Sequence, residues 1–161
     1  MKFFNSRLFI SAIFIGAATI FNACSSHAVR EIGFNLDDGR ALRGYDAVAY
    51  FAIDKAVKGD PKYAYVWNGA KWFFSSEENM KKFQADPEAY SPQFGGYCSY
   101  AVSEGYTANG DPEAWKVVDG KLYLNYSPEV KEKWEKDQEE RINNGRKNWK
   151  AFSTKKPEHK G

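Results

Sequence analysis

Residues 63–74 read Tyr63-Ala64-Tyr65-Val66-Trp67-Asn68-Gly69-Ala70-Lys71-Trp72-Phe73-Phe74. Asn-Gly between two ring-rich runs is a strong hairpin signal, because a type I′ turn needs positive φ at both central residues and these two types tolerate it. A second stretch of the same kind lies downstream, where 115–118 and 121–125 flank Asp119-Gly120. Two antiparallel hairpins are therefore expected.

The elements around them follow from local chemistry. Ser75 with Glu78 three residues on predicts a capping box opening a helix, and Met80 and Phe83 supply its buried stripe. Asp86-Pro87 ends that helix and opens a further turn to Tyr90. Upstream, Asp37-Asp38-Gly39-Arg40 is a turn, and the apolar run 47–51 reads as a strand. Downstream, paired Gly95-Gly96 signals a tight backbone turn, and Asp111-Pro112 caps a single helical turn. Ser127-Pro128 starts a charged helix that runs to about Trp149. Its thin apolar stripe is Val130, Trp134, Ile142 and Trp149, with a break at Asn143-Asn144-Gly145. The expected class is α+β: a small antiparallel sheet of hairpins with flanking helices and a long C-terminal amphipathic helix. No internal repeat and no second domain is read.

Composition narrows the function. The chain has 161 residues, with 23 Lys+Arg against 21 Asp+Glu, two Cys and two His. Two cysteines exclude a disulfide-dense miniprotein, and without a CxxC pair a self-contained zinc finger is excluded too. With 12 Phe, 10 Tyr and 5 Trp, rings must form most of the core, each burying on the order of 150–250 Å2. The same rings can line a small-molecule cleft.

The N-terminus carries Lys2 and Arg7, then the apolar stretch 8–21, then small residues at Ala23 and Cys24. This is the layout of an export signal, and the stretch is short of the roughly 20 residues a spanning helix needs. Phe21-Asn22-Ala23-Cys24 resembles a bacterial lipobox, which would make Cys24 the lipid-modified first residue of the mature protein. Cleavage after Ala28 is the alternative. Ser25 after the cysteine resembles the enteric sorting pattern, which implies the outer membrane facing the periplasm; a free periplasmic protein is the other outcome. Loss of Lys2 and Arg7 leaves 21 positive charges against 21 negative, so nucleic acid is excluded as a partner. The organisation expected is an export segment 1–23, a tether 24–40, a domain 41–126, a helix 127–150 and a tail 151–161. His27 and His159 fall in the tether and the tail and are read as solvated.

Four blocks together resemble the exported, single-domain branch of the YHS-domain family. They are 44–51 (GYDAVAYF), the stretch from Trp67-Asn68-Gly69 to Phe74-Ser75, 83–90 (FQADPEAY), and Gly95-Gly96-Tyr97-Cys98 leading to 119–125 (DGKLYLN). The resemblance implies a small sheet with helices packed on it. The metal-associated branch of that family uses cysteines as soft ligands. At the corresponding positions this chain has Ala49, Ser75 and Asn79, which are no ligand or poor ligands for copper(I) or zinc. The branch's metal function is therefore not carried over.

Cys98 is left as the lone thiol of the mature domain. With both histidines elsewhere it lacks the base a nucleophile needs, and its expected role is burial or contact with a ligand. Asp46, held before a buried segment, must be hydrogen-bonded and is the best carboxylate candidate. No GxGxxG, P-loop, HExxH or GxSxG is present, so no enzyme is expected. The functional expectation is a monomeric, envelope-anchored, non-enzymatic binding module. A small ligand or an envelope protein would sit in an aromatic cleft formed by Tyr45, Asp46, Tyr50, Tyr97 and Cys98. The alternative is a metal-handling or thiol-redox accessory using Cys98, the one weak metal candidate. No other cofactor is expected.

Overall fold

The computed structural model describes residues 33–154. The export segment, Cys24, His27, His159 and most of the tail lie outside them. The fold is α+β, as expected. Two short strands, β1 (Leu36–Asp37) and β2 (Arg40–Ala41), precede a helix α1 (Ala49–Ala52) and the hairpin of β3 (Asp60–Trp67) and β4 (Ala70–Phe74). Helices α2 (Glu77–Ala85) and α3 (Pro87–Tyr90) follow, then α4 (Ser99–Ser103) and a second hairpin, β5 (Asp111–Val118) and β6 (Lys121–Asn125). Helices α5 (Pro128–Lys136) and α6 (Gln138–Thr154) close the chain. One sheet has the order β1-β2-β4-β3, and β5-β6 form the other. Both hairpin turns have positive φ at their two central residues, Asn68-Gly69 and Asp119-Gly120, as a type I′ turn requires.

Several local expectations are corrected. The run 47–51 is not a strand: the Asp46 carboxylate accepts the N–H groups of Val48 and Ala49 and bends the chain into α1. A short run buried on all sides has no period to separate strand from helix. The helix cap is Ser76, which accepts the Asn79 N–H; the Ser75 hydroxyl is used elsewhere, and Glu78 pairs with Lys82 instead of closing a box. Asp111 begins β5 and accepts the Glu113 N–H at a bulge, so no helical turn forms there. The long C-terminal helix breaks at Asp137. Gly145 lies inside α6, where a Cβ would stand 2.7 Å from the Phe94 ring; this glycine admits a neighbour and does not end a helix. Within the end of the segment expected as tether, Leu36–Asp37 forms β1 and Arg40 opens β2, and Phe34 packs on the rings of Trp67 and Trp72.

The expectation of no internal repeat is also corrected. Gly59-Asp60-Pro61 recurs as Gly110-Asp111-Pro112, Asn68-Gly69 as Asp119-Gly120, and the capping Ser76 as Ser127, each displaced by the same distance along the chain. The hairpins share one register: Asp60↔Phe74, a bulge, then Ala64↔Phe73 to Trp67↔Ala70 in the first, and Asp111↔Asn125, a bulge, then Trp115↔Leu124 to Val118↔Lys121 in the second. The connection before each hairpin repeats too. Residues 42–44 and 94–96 form left-handed turns, Tyr45 pairs with Lys58 as Tyr97 pairs with Asn109, and the N–H of Asp46 reaches Val57 O as that of Cys98 reaches Ala108 O. Even the parallel contact Arg40↔Lys71 has a counterpart in Pro92↔Leu122. The core follows suit, with Trp72 against Phe83 at 4.7 Å and, at the matching positions, Tyr123 against Trp134 at 5.5 Å. The chain thus contains two like units; one core cluster centres on Trp72 and Phe83 and also takes in Leu122, Leu124 and Trp115 of the second hairpin, and the other centres on Phe94, Tyr123 and Trp134.

Candidate functional site

The first polar centre is Asp46, buried at 0% exposure. Its Oδ1 accepts the N–H of Val48 at 2.9 Å and of Ala49 at 3.3 Å. Its Oδ2 accepts the Ser75 N–H at 2.8 Å, the Ser75 hydroxyl at 2.6 Å and the Asn79 amide at 2.7 Å. Ala49, Ser75 and Asn79 are the three positions that the family resemblance marks as cysteines in its metal-associated branch. The fold does bring them together, and what they surround here is a carboxylate whose lone pairs are taken up by hydrogen bonds. This centre joins the start of α1 to the β4–α2 junction. Among the described residues, no three His, Cys, Asp or Glu side chains are grouped to hold a metal ion.

Tyr45 and Tyr50 flank it. The Tyr45 hydroxyl donates to Glu113 Oε1 at 2.7 Å, while the Lys58 ammonium sits 4.0 Å from its ring centroid. Hydrogen bonding to Glu113, reinforced by burial, pushes the Tyr45 phenol up to about 12. Burial raises Tyr50 as well, and its hydroxyl donates to the Pro112 carbonyl at 3.0 Å. Folding therefore favours the neutral Tyr45 phenol. That contribution is intact below the unfolded value near 10 and is lost as pH rises toward about 12. Glu113→Gln is expected to bring Tyr45 back toward 10 and to reduce the loss of stability across that window. Tyrosine-resolved NMR titration and alkaline denaturation curves check both.

Tyr97 and Cys98 occupy the matching turn of the second unit. Cys98 is 1% exposed, and its thiol lies 3.9 Å from Asn125 Oδ1, which also accepts the Tyr100 N–H at 3.1 Å. In the first unit the acceptor for the equivalent N–H is Asp46; in the second it has moved to the end of the hairpin. The Tyr97 ring stacks toward Trp149 at 6.0 Å. The five residues expected to form one cleft therefore fall into two groups: Tyr45, Asp46 and Tyr50 in one unit, Tyr97 and Cys98 in the other.

An open cleft of about 500 Å3 lies where the first hairpin's turn, the segment 91–95 and α6 meet. Its lining includes Phe34, Asn68, Gln93, Phe94, Arg146 and Trp149, and none of the five expected residues. A second depression, of about 560 Å3 beside the α5–α6 junction, is bordered by charged and amide side chains without a ring. The sequence signal for the first cleft is the triplet of Arg146, Trp149 and Lys150 on one helix; the apolar stripe expected there contains Trp149 alone of the three.

These features define a small α+β domain of two like units, with a closed carboxylate centre in one and an aromatic, cationic cleft at their junction. Residues 48–94 match the family model described as YHS domain, and the chain carries a YHS domain over that stretch. The match ends at Phe94, in the left-handed turn that opens the second unit. No curated protein and no solved structure matches the chain.

Proposed function

We propose that this chain is an exported, non-enzymatic binding module, held at the bacterial cell envelope by a lipid on Cys24, that takes a small ligand in the cleft bordered by Phe34, Phe94 and Trp149. The observation that carries the reading is the cleft itself. Its volume falls within the roughly 300–1,000 Å3 usual for small-molecule sites, and its lining combines rings with a few polar groups. The Asp46 centre supports a structural role for the neighbouring unit, because its oxygens are already committed to the fold. Anchoring rests on the lipobox-like run at 21–24 and the export layout before it. Among the described residues, no helix is long and apolar enough to cross a membrane. A thiol role for Cys98 draws less support from a side chain only 1% exposed.

Native mass spectrometry of the protein isolated from its host is the test. The expected result is a mature chain starting at a diacylated or triacylated Cys24 that retains a small-molecule mass. An unmodified start after Ala28 would remove the anchor, and a ligand retained equally by a Trp149→Leu variant would remove the cleft.

A further inference from the structure

We propose that the cleft selects an anionic ligand carried on a planar ring, with Arg146 reading the charge and Trp149 and Phe94 the ring. This inference rests on the binding-module reading and adds the chemical class. The described lining contains Arg146 and Lys150, one helical turn apart on α6, and no Asp or Glu. The partly buried cations of the second unit are matched: Arg141 pairs with Glu104, and Lys116 and Lys131 share Glu135. Arg146 is different. Among the described residues no carboxylate pairs with it, and its one hydrogen bond, to the Tyr123 hydroxyl, is 3.5 Å long, at the weak limit of such contacts. A neutral ligand covering this guanidinium would strip its water without replacing it, whereas a carboxylate, sulfonate or phosphate would meet its planar fork with two parallel hydrogen bonds.

The ring wall is held in place before any ligand arrives. Phe94 is 5% exposed and adopts φ of 53°, a left-handed conformation that costs a bulky residue energy and recurs at ligand-contacting segments. Its ring presses on the helix backbone at Gly145 and lies 5.8 Å from Tyr123 and 6.0 Å from Trp149. A wall that does not reorganise loses little entropy on binding.

The full-length chain is titrated by calorimetry at low salt with 8-anilinonaphthalene-1-sulfonate and with N-phenyl-1-naphthylamine, which lacks only the sulfonate. The expected result is one site for the sulfonate, at least tenfold tighter than for the neutral amine. Arg146→Gln should abolish that preference and leave the amine's affinity unchanged; Trp149→Leu should weaken both probes at least fivefold. Equal affinities in the parent, or a preference that survives Arg146→Gln, overturn the charge selection while leaving the cleft standing. Binding of neither probe, or of both undiminished in Trp149→Leu and in a second variant, Phe34→Leu, overturns the cleft as well.

Discussion

Replacing Asp46 with alanine is expected to destabilise the fold by about 3–5 kcal/mol, the range for breaking a buried network of charge-assisted hydrogen bonds. Five donors lose their acceptor at once, three of them backbone N–H groups of Val48, Ala49 and Ser75. That of Val48 belongs to a buried residue and has no route to water, while that of Ala49 keeps only the carbonyl of residue 46 at 3.3 Å. Ser75 is exposed and Asn79 half-buried, so their side chains can rehydrate, and Ser75→Ala alone should cost only about 1 kcal/mol. Asp46→Asn should fall between the two, at about 2 kcal/mol, since the amide keeps one acceptor oxygen and turns an NH2 toward groups that are themselves donors. Urea unfolding of the three variants checks the ranking. An Asp46→Ala protein as stable as its parent would show that the carboxylate is not the tie between α1 and the β4–α2 junction.

The second large effect is at the glycines that begin the repeated Gly-Asp-Pro triplets. A Cβ on Gly110 would stand 2.3 Å from the Gly96 carbonyl oxygen and 2.9 Å from Leu124 Cβ; one on Gly59 would stand 2.4 Å from the Phe73 carbonyl carbon. In both cases the obstacle includes backbone, so no rotamer change relieves it, and the strand must move off its neighbour. Gly110→Ala and Gly59→Ala are each expected to cost about 3 kcal/mol or more, at the upper end of overpacking penalties. Gly69→Ala is the contrast. Nothing lies within 4 Å of a Cβ there, and only the left-handed φ of 74° resists, a strain of about 1–2 kcal/mol. Thermal melts of the three proteins test both the steric argument and the equivalence of the two units. If Gly59→Ala and Gly110→Ala differ as widely from each other as from Gly69→Ala, the two positions do not play the same part.

Much of the architecture was legible because it is local. The two type I′ turns depend only on residue pairs that tolerate positive φ, and the Ser127 cap on α5 only on a hydroxyl beside its own helix. Two of the misread elements depend on hydrogen bonds that go far along the chain. The run 47–51 becomes helical because Asp46 turns back on Val48 and Ala49 while its other oxygen holds Ser75 and Asn79. Ser75 fails as a cap for the same reason. The repeat was visible in the two Gly-Asp-Pro triplets and the matching spacing of the hairpin turns. It was hidden by divergence in the cores, where Trp72 and Phe83 in one unit answer to Tyr123 and Trp134 in the other; packing conserves volume and ring contact more strictly than identity.

The candidate site divides along the same line. Burial of Asp46 and Cys98 could be expected from residue type, since a carboxylate beside an apolar run must find donors and a lone thiol packs as a small hydrophobe. That the two sit at matching turns of separate units, and not in one cleft, could not. Cleft formation joins Phe34 before the first strand, Asn68 on a hairpin turn, Phe94 in a left-handed turn and Arg146 on the last helix, residues that no sequence period connects. Turns, caps and the ring-rich core follow from the chain's local chemistry, because each is settled within a few residues; which charges and rings face a common space follows from packing between distant segments.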